Sequence, residues 1–323
     1  MSSERLIKSL KSLLPIGLGV FLVVYSYLST DETIRSQIYF YIRQANPLYV
    51  GLSLLFALLS HVSRAIRWNY LLRPLGYQTP LLSSFYFVMM AYFANLGIPR
   101  SGEVLRATSL RTYEKVPFEK GFGTIVTERI IDLVMLFIVI SVTLFLQTER
   151  LTTLMASNKK ALVISVLVII IAVVGLWVSI AVLKKSTSAI AQKLTRFLEG
   201  IQSGLLSVFK MKQKGYFIAH TLFIWGCYVA MFWVIKYTLP ETESLGLSEL
   251  LVAFIAGSFA MTATNGGVGL YPIAVRASLA LFGISFASGE AFGWILWISQ
   301  TLMIVLCGAF CFLSLPLIYR KRS

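Results

Sequence analysis

The chain is a succession of long apolar runs separated by short polar stretches, and the length of each run predicts the element it forms. A helix rises 1.5 Å per residue, so ~20 apolar residues are needed to cross a hydrocarbon core of ~30 Å. The runs from Pro47 to about Ile66, Gly121 to Gln147, Ala161 to Leu183, Tyr216 to Leu239 and Glu290 to Tyr319 meet that requirement. The run Leu13 to Leu28 follows Arg5, Lys8 and Lys11 in the manner of a signal peptide, but no small-residue cleavage site follows it. Tyr25, Ser26 and Tyr27 suit an interfacial end, so an uncleaved first helix is expected there. Ile34 to Arg43 forms a short amphipathic piece after it.

Two stretches break this pattern. Leu81 to Leu96 is short for a span and runs into GIPRSG, with Arg73 before it and Arg100, Arg106, Arg111, Lys115 and Lys120 after it. A full crossing would carry those later cations to the outer face. The pattern instead predicts a re-entrant hairpin over 81–113, entering at Leu81, turning at Asn95–Gly102 and leaving along Glu103–Tyr113. Gly97, Pro99 and Gly102 supply the break. Broken backbone at membrane depth is tolerated only where protein or water satisfies it. The second stretch, 247–284, has the same form: Leu247 to Thr264, then TNGGVGLYP with Gly266, Gly267 and Gly269, then Ile273 to Ile284. Arg320, Lys321 and Arg322 place the end of the last run inside, so this second hairpin must dip from the opposite face. The expected fold class is an all-α polytopic membrane protein of about six transmembrane helices plus two oppositely oriented re-entrant hairpins, with both termini cytoplasmic.

Composition agrees. Hydrophobic residues are 57% and charged residues 13% of the 323, with a mean hydropathy of +0.77. Soluble domains hold roughly 45–50% apolar and about 25% charged residues. One integral domain over 1–323 is expected, because the longest polar stretch, 184–215, makes a loop helix and not a soluble unit. The net charge of +15 would suggest nucleic acid in a soluble chain. Here Lys184, Lys185, Lys193, Arg196, Lys210, Lys212 and Lys214 stand against Glu199 alone, which marks a cytoplasmic loop. No nucleic-acid partner is expected, and the location is the cell (cytoplasmic) membrane. Cys227, Cys307 and Cys311 lie in apolar segments without a CxxC and suit small buried hydrophobes. His61 and His220 have no neighbouring ligand set, so neither a metal site nor a cofactor is expected.

The candidate chemistry concentrates between Phe93 and Asp132, in Asn95, Arg100, Glu103, Arg106, Glu128, Arg129 and Asp132. Ionisable groups at bilayer depth are costly, so they pair or face a wet cavity. Glu103 and Arg106 share a helical face and could pair. Glu128 and Asp132 lie four apart on the third long run. These carboxylates either neutralise Arg100, Arg106 or Arg276 and fix the hairpin, or leave some guanidinium groups to hold a phosphate in bidentate fashion. The two readings are compatible. Arg276 is a lone cation of the second hairpin. Asn95 and Asn265 either cap the hairpin helices or contact substrate. Arg64, Arg67 and Trp68 read most plainly as an interfacial anchor, with headgroup binding as the alternative. The hairpins also echo each other at an offset of 170 residues, as N-x-G-x(8)-R-A: Asn95, Gly97, Arg106 and Ala107 against Asn265, Gly267, Arg276 and Ala277. Inverted repeats whose broken helices meet near the midplane are a recurring transporter plan. Helix N-termini at such breaks attract anions.

The runs NLGIPRSGEVLR, TERIIDL at 127–133 and the upstream RAIRWNYLL resemble the membrane part of the lysylphosphatidylglycerol synthase/flippase family. The resemblance implies movement of aminoacylated phospholipids or related lipids between leaflets. It points to Asn95, Pro99, Arg100, Gly102, Glu103, Arg106, Glu128, Arg129 and Asp132. No aminoacyl-transferase domain like that family's is expected in this chain, so lysyl-lipid synthesis is not implied. Pro272 stands where the family's second hairpin carries an acid, which implies a different substrate or no proton-linked role for that position. The expectation is therefore a non-enzymatic lipid translocase for an anionic or phosphate-bearing headgroup, with a membrane lipid as its substrate. The alternatives are a membrane-embedded enzyme acting on a lipid headgroup, or an anchor that holds a lipid-modifying enzyme as partner through the basic 184–214 loop.

Overall fold

The computed structural model describes residues 20–148 and 211–320. The expected span at 161–183, the loop before it and most of the basic 184–215 loop lie outside the described residues. Among the described residues all regular structure is helical. The helices are α1 (Val20–Ser29), then α2 (Glu32–Gln44), α3 (Pro47–Leu72), α4 (Leu81–Gly97), α5 (Ser101–Glu114), α6 (Phe118–Leu146), α7 (Lys214–Ile235), α8 (Leu247–Ala263), α9 (Leu270–Ala280) and α10 (Phe286–Arg320). Four helical stretches, Pro47–Leu75, Phe118–Leu146, Lys214–Thr238 and Phe286–Tyr319, are long and apolar enough to cross a membrane. By contact the described residues fall into two compact units, one of 20–128 with 213–320, the other holding 129–148 with 211–212.

Local sequence sets where the first helices begin. The Asp31 carboxylate accepts from the Thr33 amide at 2.8 Å and caps α2. Asn46 does the same for α3, accepting from the Leu48 amide at 2.9 Å, with Pro47 at the first helical position. Both are preferred start signals, because the first amides of a helix lack internal partners.

In the first unit α3 and α7 run antiparallel, a register fixed by Tyr49 against Tyr237, Ser63 against His220 and Tyr70 against Tyr216. Trp68, Phe87, Phe217 and Phe292 are fully buried in this unit. The two broken helix pairs, α4–α5 and α8–α9, both pack on α10, but along different halves of it. α4 lies beside the C-terminal half: the Ser83 and Tyr319 hydroxyls are 2.6 Å apart, and a Cβ at Gly308 would lie 2.5 Å from that of Phe93. α9 lies beside the N-terminal half, where Gly289 packs on Arg276 and Gly293 on Pro272. The two breaks therefore adjoin midway along α10. There the Asn265 side-chain amide donates to the Leu96 carbonyl at 2.5 Å, and the Trp297 indole donates to the Gly266 carbonyl at 2.7 Å.

The glycines of the breaks have distinct reasons. Gly266 and Gly267 sit at φ +63° and +77°, a left-handed conformation that glycine adopts without steric cost. Gly102 is needed for approach, because a Cβ there would lie 2.1 Å from the Ala91 carbonyl oxygen. The second break ends earlier than the sequence suggests. α9 begins at Leu270, not Ile273, since Pro272 falls in its first turn, where a missing N–H costs no internal bond. α5 likewise begins at Ser101, not Glu103.

Candidate functional site

α5 and the first part of α6 bring Arg106 and Glu128 together, as one of the two sequence readings requires. The Arg106 guanidinium reaches both Glu128 oxygens, at 3.2 and 3.1 Å. Glu128 is fully buried and holds two further cations. Arg64 Nη1 donates to it at 2.6 Å, and Arg67 Nη2 lies 3.5 Å away. Three guanidinium groups thus converge on one carboxylate.

Neighbouring side chains hold the guanidinium groups in place. Arg64 Nη2 donates to the Tyr228 hydroxyl at 3.0 Å, and Arg67 Nη1 to the Thr221 hydroxyl at 3.1 Å. The Arg106 guanidinium carbon stacks 3.8 Å from the centre of the Trp68 ring, a cation–π contact strengthened by its dry surroundings. The Trp68 indole N–H donates to the Thr124 hydroxyl at 2.9 Å. This corrects the reading of Arg64, Arg67 and Trp68 as an interfacial anchor. Their exposures are 3%, 0% and 0%, because α5, α6 and α7 cover that face of α3 and Glu128 supplies the charge that lets arginine be buried.

The remaining candidates divide among three places. At the tips, Asn95 Oδ1 accepts from the Gly102 amide at 2.8 Å and so satisfies a first-turn donor of α5. The Asn95 side-chain amide also donates to Glu103 at 3.4 Å. Spacing alone allowed Glu103 to pair with Arg106, but Arg106 turns to Glu128. Asn265 covers the C-terminal end of α4 by its bond to Leu96. Both asparagines therefore serve helix ends. Arg100 is exposed at the first tip with φ +61°, a conformation that is uncommon outside glycine. Gly97 ends α4 with open space around it, so the Gly97–Gly267 element of the echo has no shared geometry.

Arg276 is not a lone cation. It pairs with Glu290 at 3.0 Å and packs its guanidinium carbon 3.9 Å from the Phe286 ring centre. Glu290 also accepts from the Trp294 indole at 3.2 Å and from Ser26 of α1 at 3.5 Å. Arg106 and Arg276 thus belong to separate ion pairs. In the second unit Arg129 and Asp132 pair at 3.5 Å across one helical turn. The functional candidates absent from the sequence reading are Tyr228 and Glu290, while Arg64 and Arg67 stood there mainly as an anchor. Glu290 was the one accessible signal, as the sole carboxylate in the last apolar run.

A groove of about 830 Å³ opens between α3, α4 and α10, lined by Leu58, Val62, Phe85, Tyr86, Leu306 and Phe310 among others.

Residues 12–308 match the family described as the lysylphosphatidylglycerol synthase TM region. The chain belongs to this family. Membership and the long apolar helices together make it an integral membrane protein, in a family named for a lipid-headgroup-modifying synthase. It is also similar to the UPF0104 membrane protein MJ1595 of Methanocaldococcus jannaschii, at 32% identity over 123 residues. That match covers 37% of this chain and 35% of the archaeal protein, so the chain spans about a third of that relative's length. No solved structure matches the chain.

Proposed function

We propose that this family member is a lipid translocase that moves an amphiphile with an anionic or phosphate-bearing headgroup between leaflets, without catalytic chemistry of its own. The observation that carries the reading is the convergence of Arg64, Arg67 and Arg106 on the single buried carboxylate of Glu128. Burying charge inside membrane helices is costly, and such groups mark substrate paths by default. Guanidinium groups suit a phosphate through paired N–H donors. Glu128 then acts as an internal stand-in for the ligand: it holds the guanidinium groups in position and yields part of their hydrogen bonding when a phosphate enters.

The architecture supports this reading. α4 and α9 accompany different halves of the long α10, and their breaks adjoin midway. This is the arrangement expected of two re-entrant hairpins, 81–113 and 247–284, entering a single 1–323 membrane domain from opposite faces. With both termini cytoplasmic, the guanidinium centre serves the first hairpin, and the Arg276–Glu290 pair, in which only Arg276 is partly exposed, serves the second. The groove beside α3 and α10 suits the lipid tail, while the headgroup crosses inside the protein. Rocking of one repeat against the other would expose the centre alternately, as in transporters built on inverted repeats.

The test is leaflet exchange of tail-labelled phospholipid and prenyl-phosphate probes in proteoliposomes, comparing wild type with Arg106→Ala and Arg276→Ala. Exchange by wild type that Arg106→Ala removes, in protein that still elutes as a folded species, is the expected result. No exchange of any probe by wild type would overturn the translocase reading.

A further inference from the structure

A line of contacts runs along α10 from the second ion pair to the place where the two breaks meet. At one end Glu290 Oε2 accepts from Arg276 of α9 at 3.0 Å. The other carboxylate oxygen, Oε1, accepts from the Trp294 indole at 3.2 Å, one helical turn further on, and from the Ser26 hydroxyl at 3.5 Å. The Trp294 and Trp297 rings then meet edge to face, with centroids 5.7 Å apart and planes at 85°. The Trp297 indole donates to the Gly266 carbonyl at 2.7 Å, and a Cβ at Gly267 would lie 3.4 Å from that same nitrogen. From the second tip the line passes to the first. Asn265, 5% exposed, donates to the Leu96 carbonyl at 2.5 Å, and a Cβ at Gly266 would lie 3.1 Å from the Leu96 side chain.

The two ends of this line differ in character. At the tip, Gly266 and Gly267 hold φ +63° and +77°. Glycine takes either sign of φ at little cost, so this pair has a second arrangement within reach. Trp297 selects the present one, because an indole N–H can only donate and here it grips the peptide between the two glycines from a long helix. At the far end Glu290 is 2% exposed, while the Arg276 side chain that neutralises it is 21% exposed. A buried carboxylate that loses its cation turns elsewhere or takes a proton, since an unpaired buried charge is costly. Either response changes what it offers to Trp294.

We infer, resting on the translocase reading, that Trp294 and Trp297 are positioning residues that couple the Arg276–Glu290 pair to the junction of the two hairpin tips. An anionic headgroup that draws Arg276 away from Glu290 loosens Trp294, then Trp297, and so frees the Gly266–Gly267 peptide and the Asn265–Leu96 bond. Coupling between sites is carried by packed side chains and hydrogen bonds around an element with two arrangements, and the glycine pair is that element. By linkage a loosened tip changes the affinity of Arg276 for the anion by the same factor.

The experiment is hydrogen exchange by mass spectrometry on the full chain in detergent, read at 264–270 and 96–102. The Thr264, Val268 and Leu270 amides are bonded in the second tip and the Ile98 amide in the first, so their exchange reports opening. Trp297→Phe removes the N–H and keeps a ring. It should speed hydrogen exchange at both tips by about five- to tenfold, the size of one hydrogen bond, and leave α3 and α7 as in wild type. Trp294→Phe and Arg276→Met should each speed it to a lesser degree. The double variant should exchange no faster than Trp294→Phe alone, because the link is already cut. Arg276→Gln serves the same comparison if Arg276→Met does not fold. Multiplied effects in the double variant, or tips of Trp297→Phe that exchange as in wild type, would overturn the coupling. Short-chain phosphatidylglycerol should speed tip exchange in wild type and not in Arg276→Met, and an equal response of the two would overturn the anion as trigger. The lipid-free comparisons stand apart from transport. If they hold while no probe crosses between leaflets, the translocase reading falls and the coupling remains.

Discussion

Glu128→Gln is the most informative single change, because it removes one charge and almost no volume. In the wild type the carboxylate answers three guanidinium groups, at 2.6 Å from Arg64, 3.1 Å from Arg106 and 3.5 Å from Arg67. The amide still offers one oxygen, but one negative charge is lost from a site whose members are at most 3% exposed. Breaking a buried ion pair from one side costs about 3–5 kcal/mol, because the partner charge stays buried. With an unfolding entropy of about 2.1 cal/mol/K per residue, a chain of 323 residues shifts by about 1.5 °C per kcal/mol, so the loss should be about 4–8 °C. The assay is thermal unfolding in detergent, read by tryptophan fluorescence. Glu128→Asp, which keeps the charge one methylene short, should fall in between. If a phosphate can take the place of the carboxylate, added phosphatidylglycerol should raise the Tm of Glu128→Gln more than that of wild type, by linkage. A Glu128→Gln protein within about 1 kcal/mol of wild type would refute the reasoning, since Glu128 would then not be the compensating charge.

Other consequences follow from single contacts. Arg64→Met combined with Glu128→Gln should destabilise less than the two changes summed, with a coupling of about 1–3 kcal/mol in a double-mutant thermal cycle; additivity would show that the 2.6 Å contact carries no energy. Gly102→Ala should cost about 1–3 kcal/mol by overpacking and widen the first hairpin, because the new Cβ would stand 2.1 Å from the Ala91 carbonyl oxygen; unchanged Tm would refute that close approach. Asn265→Ala should cost about 1–3 kcal/mol by leaving the Leu96 carbonyl unmet, and hydrogen exchange should then rise at both tips together. Glu241 tests pH dependence. Partial burial pushes its carboxyl upward, but hydrogen bonds from Ser285 and Ser288 outweigh this and hold its pKa below 4.5. A depressed folded pKa gives stability that is present above 4.5 and lost as pH falls through the folded value, so Glu241→Gln should flatten that acid limb of a Tm–pH profile.

The fold was legible where a run's length and its punctuation agree. Leu81 to Leu96 is short and ends in glycine and proline, and the structure breaks there. The TNGGVGLYP stretch is likewise a turn because its glycines take left-handed angles. The site was legible only where the polar residues lay close together in sequence, as Arg106 and Glu128 do. Arg64, Arg67 and Trp68 were hidden because an R-x-x-R-W at the end of an apolar run looks the same whether lipid headgroups or a carboxylate receives it. The difference lies in α6 and α7, which cover that face of α3 and are distant in sequence. Arg276 seemed isolated for the same reason, since Glu290 is fourteen residues on and reaches it only when α9 folds back along α10.

The echo between the hairpins acquires physical content from these pairs. Arg106 and Arg276 are the matching arginines of α5 and α9, and each meets a glutamate on the long helix that follows its own arm, Glu128 on α6 and Glu290 on α10. Each is also stacked on an aromatic ring, Trp68 or Phe286, at 3.8 and 3.9 Å. No glutamate stands at the 170-residue offset from Glu128, since that position is Ile298, so the repeated device is an arginine and its packing and not a copied ion pair. The two copies differ in access: Arg106 is 3% exposed and Arg276 21%. In a translocase built on opposed hairpins that difference has a direct meaning. The first centre is shut and satisfied by internal partners, while the second is partly open. The reverse state would require Arg106 to gain access while Arg276 is covered. Cysteine accessibility at Thr108 of α5 and Ser278 of α9, two hydroxyl residues at the same 170-residue offset, should therefore change in opposite senses when an anionic lipid is supplied. Parallel changes at the two positions would sink the alternating scheme.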